Sequence, residues 1–212
     1  MKDYKGMRFW VLGVIILLGA VLSCTDNVEA DLNLNGKSYV MFINAVPESS
    51  GLSLFVDDTL VGQGMADFGV TKGYYEINKA GTKKTEIVAA DGSILLSQNV
   101  FLKPEQFMSI FAVRKVTSDS LIYVLLLDKV NSSLLTNQGN LKGDKAYVRF
   151  VNVVPDTLAF DLNTTLSSDT TANVPFSNAT FGSSSAFSEI KAGDYKLELR
   201  NSNTEALLRT KN

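Results

Sequence analysis

The residue types able to do chemistry are few in this chain of 212 residues, which holds one Cys, Cys24, and no His. Without imidazole there is no Ser-His-Asp or Cys-His nucleophile, no histidine metal ligand and no histidine pH switch. A single thiol excludes an internal disulfide framework and a Cys-rich zinc site. Carboxylates remain. A glycoside hydrolase needs two of them about 5–10 Å apart across a cleft, and Glu76, Glu86, Glu189 and Glu198 are the acids that fall in strand-like segments. Glu86 and Glu198 are equivalent positions of an internal repeat described below, so a solvated outward face is expected for both. Asp57-Asp58 offers two adjacent carboxylates, far short of the roughly six to eight oxygens Ca²⁺ takes, and reads as a turn. Lys83-Lys84 is a small basic spot. Tyr74-Tyr75 could contribute to a sugar-stacking surface, although in a strand one of the pair must point into the core. The chain contains no phosphate-binding glycine loop, CxxC pair or EF-hand loop. The expectation is a protein with no catalytic set, metal or cofactor. A net charge of −2 argues against a nucleic-acid partner.

Cys24 has an informative setting. Lys2, Lys5 and Arg8 precede an apolar or small-residue run of 14, Phe9 to Leu22. That run is shorter than the roughly 20 residues a spanning helix needs, and suits a signal-peptide core. It ends in Val21-Leu22-Ser23-Cys24, which resembles the lipobox of bacterial lipoproteins. The resemblance implies cleavage between Ser23 and Cys24 and diacylglycerol on the Cys24 thiol. About two acyl chains hold a protein stably on a membrane. Removal of residues 1–23 takes away three positive charges and one negative, leaving a net charge of −4. Residues 24–37 then read as lipidated Cys and polar tether. The acids Asp26, Glu29 and Asp31 in it are similar to the surface-export signal of Bacteroidetes lipoproteins.

The elements beyond the tether come in two copies. Ser38–Ser49 (SYVMFINAVPES) and Ala146–Thr157 (AYVRFVNVVPDT) are identical at six of twelve positions, at an offset of 108. Lys79-Ala80-Gly81 and Leu95-Leu96 recur as Lys191-Ala192-Gly193 and Leu207-Leu208, at an offset of 112. Matches in the same order indicate a duplicated unit. The period within each copy is two, the strand period. Val40-Phe42 and Val148-Phe150 form the face expected to be buried, and Arg149 is expected to face water. Asn44 and Asn152 sit at the strand exit, where an Asn side chain bonds turn backbone. Further strands are predicted at Leu52–Val56, Leu60–Gly62, Tyr74–Ile77, Thr85–Ala89, Ile94–Val100, Phe107–Val116 and Leu121–Asp128. Those of the second copy are Leu158–Leu162, Ala186–Ile190, Tyr195–Arg200 and Ala206–Arg209. Turn signals lie at Asp57-Asp58, Asp91-Gly92 and Ser118-Asp119. No convincing amphipathic helix is present.

The sequence therefore predicts an all-β chain: two tandem antiparallel β-sandwich, immunoglobulin-like domains after a lipoprotein signal peptide. The segments are 1–23 signal peptide, 24–37 tether, 38–130 first repeat, 131–145 linker and 146–212 second repeat. Equivalents of the strands at Phe107–Val116 and Leu121–Asp128 are not found in the second copy, which is expected to lack its last two strands. YVRFVNVVPD, followed later by F-x-x-I-K-A-G-D-Y-K-L-E-L, resembles the domain of unknown function 4397, closely from Ala146 to Leu199. The first copy is similar at Tyr39–Pro47 and Ala80-Gly81, with Thr82-Lys83 where the second has Asp194-Tyr195. That family occurs in secreted and lipid-anchored bacterial proteins, including two-copy lipoproteins of Bacteroidetes. The resemblance implies architecture and address and brings no catalytic residues.

Four of the 14 Asp residues begin an Asp-Ser/Thr-aliphatic-or-Thr sequon like that of Bacteroidetes O-glycosylation. The candidate acceptors are Thr59, Ser120, Thr157 and Thr170, all in expected turns or loops. The functional expectation is a non-enzymatic protein lipid-anchored to the outer membrane, facing the periplasm or the cell surface. It would present two modules to an extracellular glycan or protein ligand. The alternatives are a structural subunit of a surface assembly completed by a donated strand, and a carboxylate-dependent hydrolase.

Overall fold

The computed structural model describes residues 35–49, 51–118, 120–128, 144–155, 158–169, 171 and 174–211. Every regular element among them is a strand. In the first repeat these are β1 (Ser38–Asn44), β2 (Leu52–Val56), β3 (Thr59–Ala66), β4 (Thr71–Ile77), β5 (Gly81–Ala89), β6 (Ile94–Leu102), β7 (Phe107–Arg114) and β8 (Leu121–Asp128). They form two four-stranded sheets, ordered β4-β1-β7-β8 and β3-β2-β5-β6. The architecture is the expected two-sheet sandwich, with its own strand order.

Alternation along the strands builds the core. β1 alternates buried with half-buried residues, and Val40 and Phe42 point inward. They meet Leu54, Ile87, Leu102, Met108 and Ile110 in one apolar cluster. Fully burying an aliphatic side chain of this size contributes about 1.5–3 kcal/mol. Where β2 turns into β3, Asp57 and Asp58 have φ of 46° and 62°, as a two-residue type I′ hairpin requires. The Asp57 carboxylate accepts from Lys84 N–H at 3.0 Å and from the Lys83 ammonium at 2.7 Å. The acidic pair is thus turn chemistry.

One pairing departs from the antiparallel expectation. β7 runs parallel to β1, with Val40 beside Met108 and Phe42 beside Ile110. The chain passes through the other sheet between the two strands, and such a crossover is what parallel neighbours need.

The second repeat contains β9 (Lys145–Val148), β10 (Phe160–Leu166), β11 (Val174–Ala179), β12 (Ser188–Lys191), β13 (Tyr195–Asn201) and β14 (Leu207–Lys211). The order β11-β10-β13-β14 repeats β3-β2-β5-β6, and the β12-β9 pair repeats β4-β1. β9 begins one residue earlier than expected, at Lys145, inside the predicted linker. β11 is not among the predicted strands, because Pro175 and its polar neighbours obscure it. It lies at a sheet edge, where a proline removes no ladder donor. The repeats do not stand apart: Leu34–Asn212 form one compact unit.

Small polar devices are duplicated with the fold. Asn44 Oδ1 accepts from Val46 N–H at 3.0 Å, and its Nδ2 donates to Ala66 C=O at 2.8 Å. Asn152 repeats both bonds, with Val154 N–H at 3.0 Å and Ala179 C=O at 2.9 Å. Lys37 pairs with Glu76 at the first-strand edge, and Lys145 pairs with Glu189.

Candidate ligand groove at the repeat junction

β7 is buried on both of its faces except at its ends. Met108, Ile110 and Ala112 enter the first core. Phe111 and Val113 point the other way and, with Val124 of β8, form a second apolar cluster. Val151, Val153 and Phe181 of the second repeat pack against that cluster. The outer face of the first sandwich is therefore covered by the second. A near-continuous apolar run in a strand is the sequence sign of two buried faces.

A polar set lies within this junction. Asp128, at the end of β8, accepts from Ser109 Oγ at 2.6 Å and from the Tyr74 hydroxyl at 2.8 Å, both on Oδ2. Arg149 Nη2 stands 2.5 Å from Asp128 Oδ1. That approach is a charge contact rather than an aligned hydrogen bond. Arg149 also donates to Ser109 Oγ at 3.1 Å, and its guanidinium lies 4.9 Å from the Phe187 ring centre. Burial, and then the bond to Asp128, push the Tyr74 hydroxyl pKa well above its ordinary value. Arg149 was expected to face water. It points outward from its own sandwich as expected, but that outward face is docked on the first repeat.

The tyrosine pair divides as strand geometry requires. Tyr75 packs against the first core. Tyr74 packs edge-on to Phe107 at 5.0 Å, beside the stacked Tyr39–Phe107 pair at 4.4 Å. Tyr74 belongs to the junction, not to an exposed sugar platform.

At the other end of β7 from this set, the junction opens into an apolar groove of about 450 Å³. Pro47 and Pro155, the equivalent prolines of the two copies, both line it. Phe68, Val113, Val116 and Val153 line it too, with Arg114 and Lys115. Phe68 and Val116 are 55% and 77% exposed, unusual for large apolar side chains that share one groove. Duplicated Asn-x-Val-Pro exits thus supply two walls, and the end of β7 supplies a third. Sequence reading treated each copy alone, so it missed the groove. The available signal was the set of apolar residues Phe68, Val116 and Val154, which lie between the predicted strands or at the end of one.

The acids considered for hydrolysis are not brought together. Glu76 and Glu189 pair with Lys37 and Lys145. Glu86 and Glu198 pair with Lys84 at 2.9 Å and Lys196 at 2.6 Å, an equivalent arrangement in the two copies. Those lysines hold both carboxyls below their ordinary pKa. Glu86 is nearly covered rather than solvated. No group of three or more metal-binding side chains occurs among the described residues.

Of the candidate modification sites, Thr59 is exposed at the start of β3. Ser120 is exposed before β8, with Oγ 2.7 Å from Ser118 Oγ. Neither lines the groove. Ser23, Cys24, Thr157 and Thr170 lie outside the described residues. Comparison of the chain with protein-family models and with curated proteins finds no match.

Proposed function

We propose that this is a non-enzymatic, lipid-anchored cell-envelope protein that binds an extracellular protein ligand through the junction groove. The observation that carries the reading is the groove, in which both copies contribute the same Asn-x-Val-Pro exit. An apolar trough with Arg114 and Lys115 beside it suits an apolar side chain flanked by acidic residues, because the cations complement the acids. Among its described lining residues Phe68 is the single aromatic and Arg114 and Lys115 are the polar side chains, a set that favours an apolar segment over a sugar. The lipobox-like end at Cys24 supports the envelope address. The lysine pairing of each candidate acid supports binding over hydrolysis.

The test is display of residues 25–212 on protein and glycan arrays, beside a Val116→Asp variant. Binding to an acidic-apolar protein segment that disappears in the variant supports the reading. Binding to glycans alone, or binding indifferent to Val116→Asp, removes the groove from it. Silence against every envelope and host ligand sinks it.

A further inference from the structure

The outer face of the first sheet meets the same row of residues from both copies. In the first copy Met41, Ile43, Ala45 and Pro47 follow one another at alternate positions, and β1 lays Met41 beside Ser109 and Ile43 beside Phe111 of β7. The equivalent row of the second copy is Arg149, Val151, Val153 and Pro155. Ile43 and Ala45 pack on the cluster of Phe111, Val113 and Val124, and so do Val151 and Val153. Both rows then run out into the junction groove, which Ala45, Pro47, Val153 and Pro155 line. One short segment, 149–155, thus carries the buried charge pair at one end and a groove wall at the other.

Apolar contact alone does not fix where such a row stops. Burial of apolar surface is non-directional, and alternate side chains of an extended chain stand about 7 Å apart. A slip by that step places Val151 where Val153 packs, still against the same apolar cluster, and carries Pro155 away from Pro47. Arg149 is the position of the row at which the copies differ in kind, because its equivalent is Met41. Its guanidinium meets Asp128 and Ser109 of the first repeat and lies over the Phe187 ring of the second. Asp128 is held in turn by Ser109 and Tyr74. A slip parts Arg149 from Asp128 and leaves buried charge without a partner, which is strongly unfavourable. Selecting a register is the best-attested use of a buried pair that adds little net stability.

We propose that Arg149 is a positioning residue: its pairing with Asp128 and Ser109 fixes the register of the 149–155 segment on the first repeat, and so sets the spacing of the groove walls at Pro47 and Pro155. The apolar cluster holds the repeats together, and the charge pair decides where they stop. This role is independent of what the groove binds.

The test measures the register directly. Nitroxide labels are placed on the full chain at Ser120→Cys in the first repeat and Ser177→Cys in the second, both exposed positions, with Cys24→Ser so that no other thiol reacts. Double electron–electron resonance is expected to give one narrow distance in this parent. Arg149→Met/Asp128→Leu replaces the pair with apolar side chains and leaves no charge unpaired. It is expected to keep the folded far-UV signal while the distance splits or broadens by several ångströms. Arg149→Lys keeps the charge and is expected to keep the single distance. A distance in the double variant as narrow as in the parent shows that apolar packing sets the register and overturns the proposal. A broad distance in the parent or in Arg149→Lys overturns it too. Loss of the folded signal in the double variant makes the pair a requirement for folding instead, and likewise overturns it.

Discussion

Arg149 of the second repeat closes on Asp128 of the first at 2.5 Å, with the two side chains only 9% and 0% exposed. The contact joins the residue just past the end of β9 in one copy to the last residue of β8 in the other. It makes the orientation of the repeats depend on a charge pair that water does not reach. Buried pairs of this kind contribute little against an apolar substitute, yet they are costly to break from one side.

Arg149→Met is therefore expected to destabilise the protein by about 3–5 kcal/mol, because it leaves Asp128 charged and buried. The double variant Arg149→Met/Asp128→Leu should cost less than the single one. Urea denaturation followed by tryptophan-independent far-UV signal measures both. A single variant within about 1 kcal/mol of the parent, the range of an exposed pair, would show that the junction opens freely to water.

Tyr74 predicts an alkaline limit. Its folded-state pKa is raised, first by burial and then by its bond to Asp128, from an ordinary value of 10.0. The unfolded chain then loses this proton at lower pH than the folded one. The contribution is complete below about pH 10 and is lost as pH rises further. Stability should fall above pH 10, and Tyr74→Phe should make the fall shallower. Equal slopes in parent and variant would contradict the assignment. Tyr123, also raised by burial, accounts for part of the slope that remains.

Asn44→Ala removes an amide that satisfies Val46 N–H and Ala66 C=O inside the protein. Leaving such groups without partners costs about 1–3 kcal/mol each. A loss of about 2–4 kcal/mol is expected, with Asn44→Asp intermediate because the acceptor oxygen is kept. Thermal and urea midpoints of the two variants give the comparison. A smaller loss for Ala than for Asp would mean that the bonds to backbone are not what the position requires.

The asymmetry between the copies has its own check. Ile87 is fully buried, while its equivalent Leu199 is partly exposed. Ile87→Ala should cost about 2–5 kcal/mol, as large-to-small changes in closed cores do. Leu199→Ala should cost less than half as much, since water already reaches its site. Equal losses would indicate that the second core is closed in solution.

Much of the architecture was legible before any coordinates. The period-two pattern of Val40 and Phe42, the acidic turn at Asp57-Asp58 and the doubled Asn-x-Val-Pro exit all depend on neighbours within a few residues. Local chemistry is enough for these. The strand at Val174–Ala179 escaped because Pro175 and polar neighbours mask a strand that only its place at a sheet edge makes tolerable.

The candidate sites divide along the same line. A lone Cys after a short apolar run, two repeats and paired strand faces are properties of order along the chain, and the sequence alone determined them. The destination of Arg149, the two buried faces of β7 and the groove between Pro47 and Pro155 were decided by tertiary structure. Each depends on which surfaces meet after the strands have formed. Periodicity says that a strand has an inner and an outer face. It does not say whether the outer face meets water or the other copy.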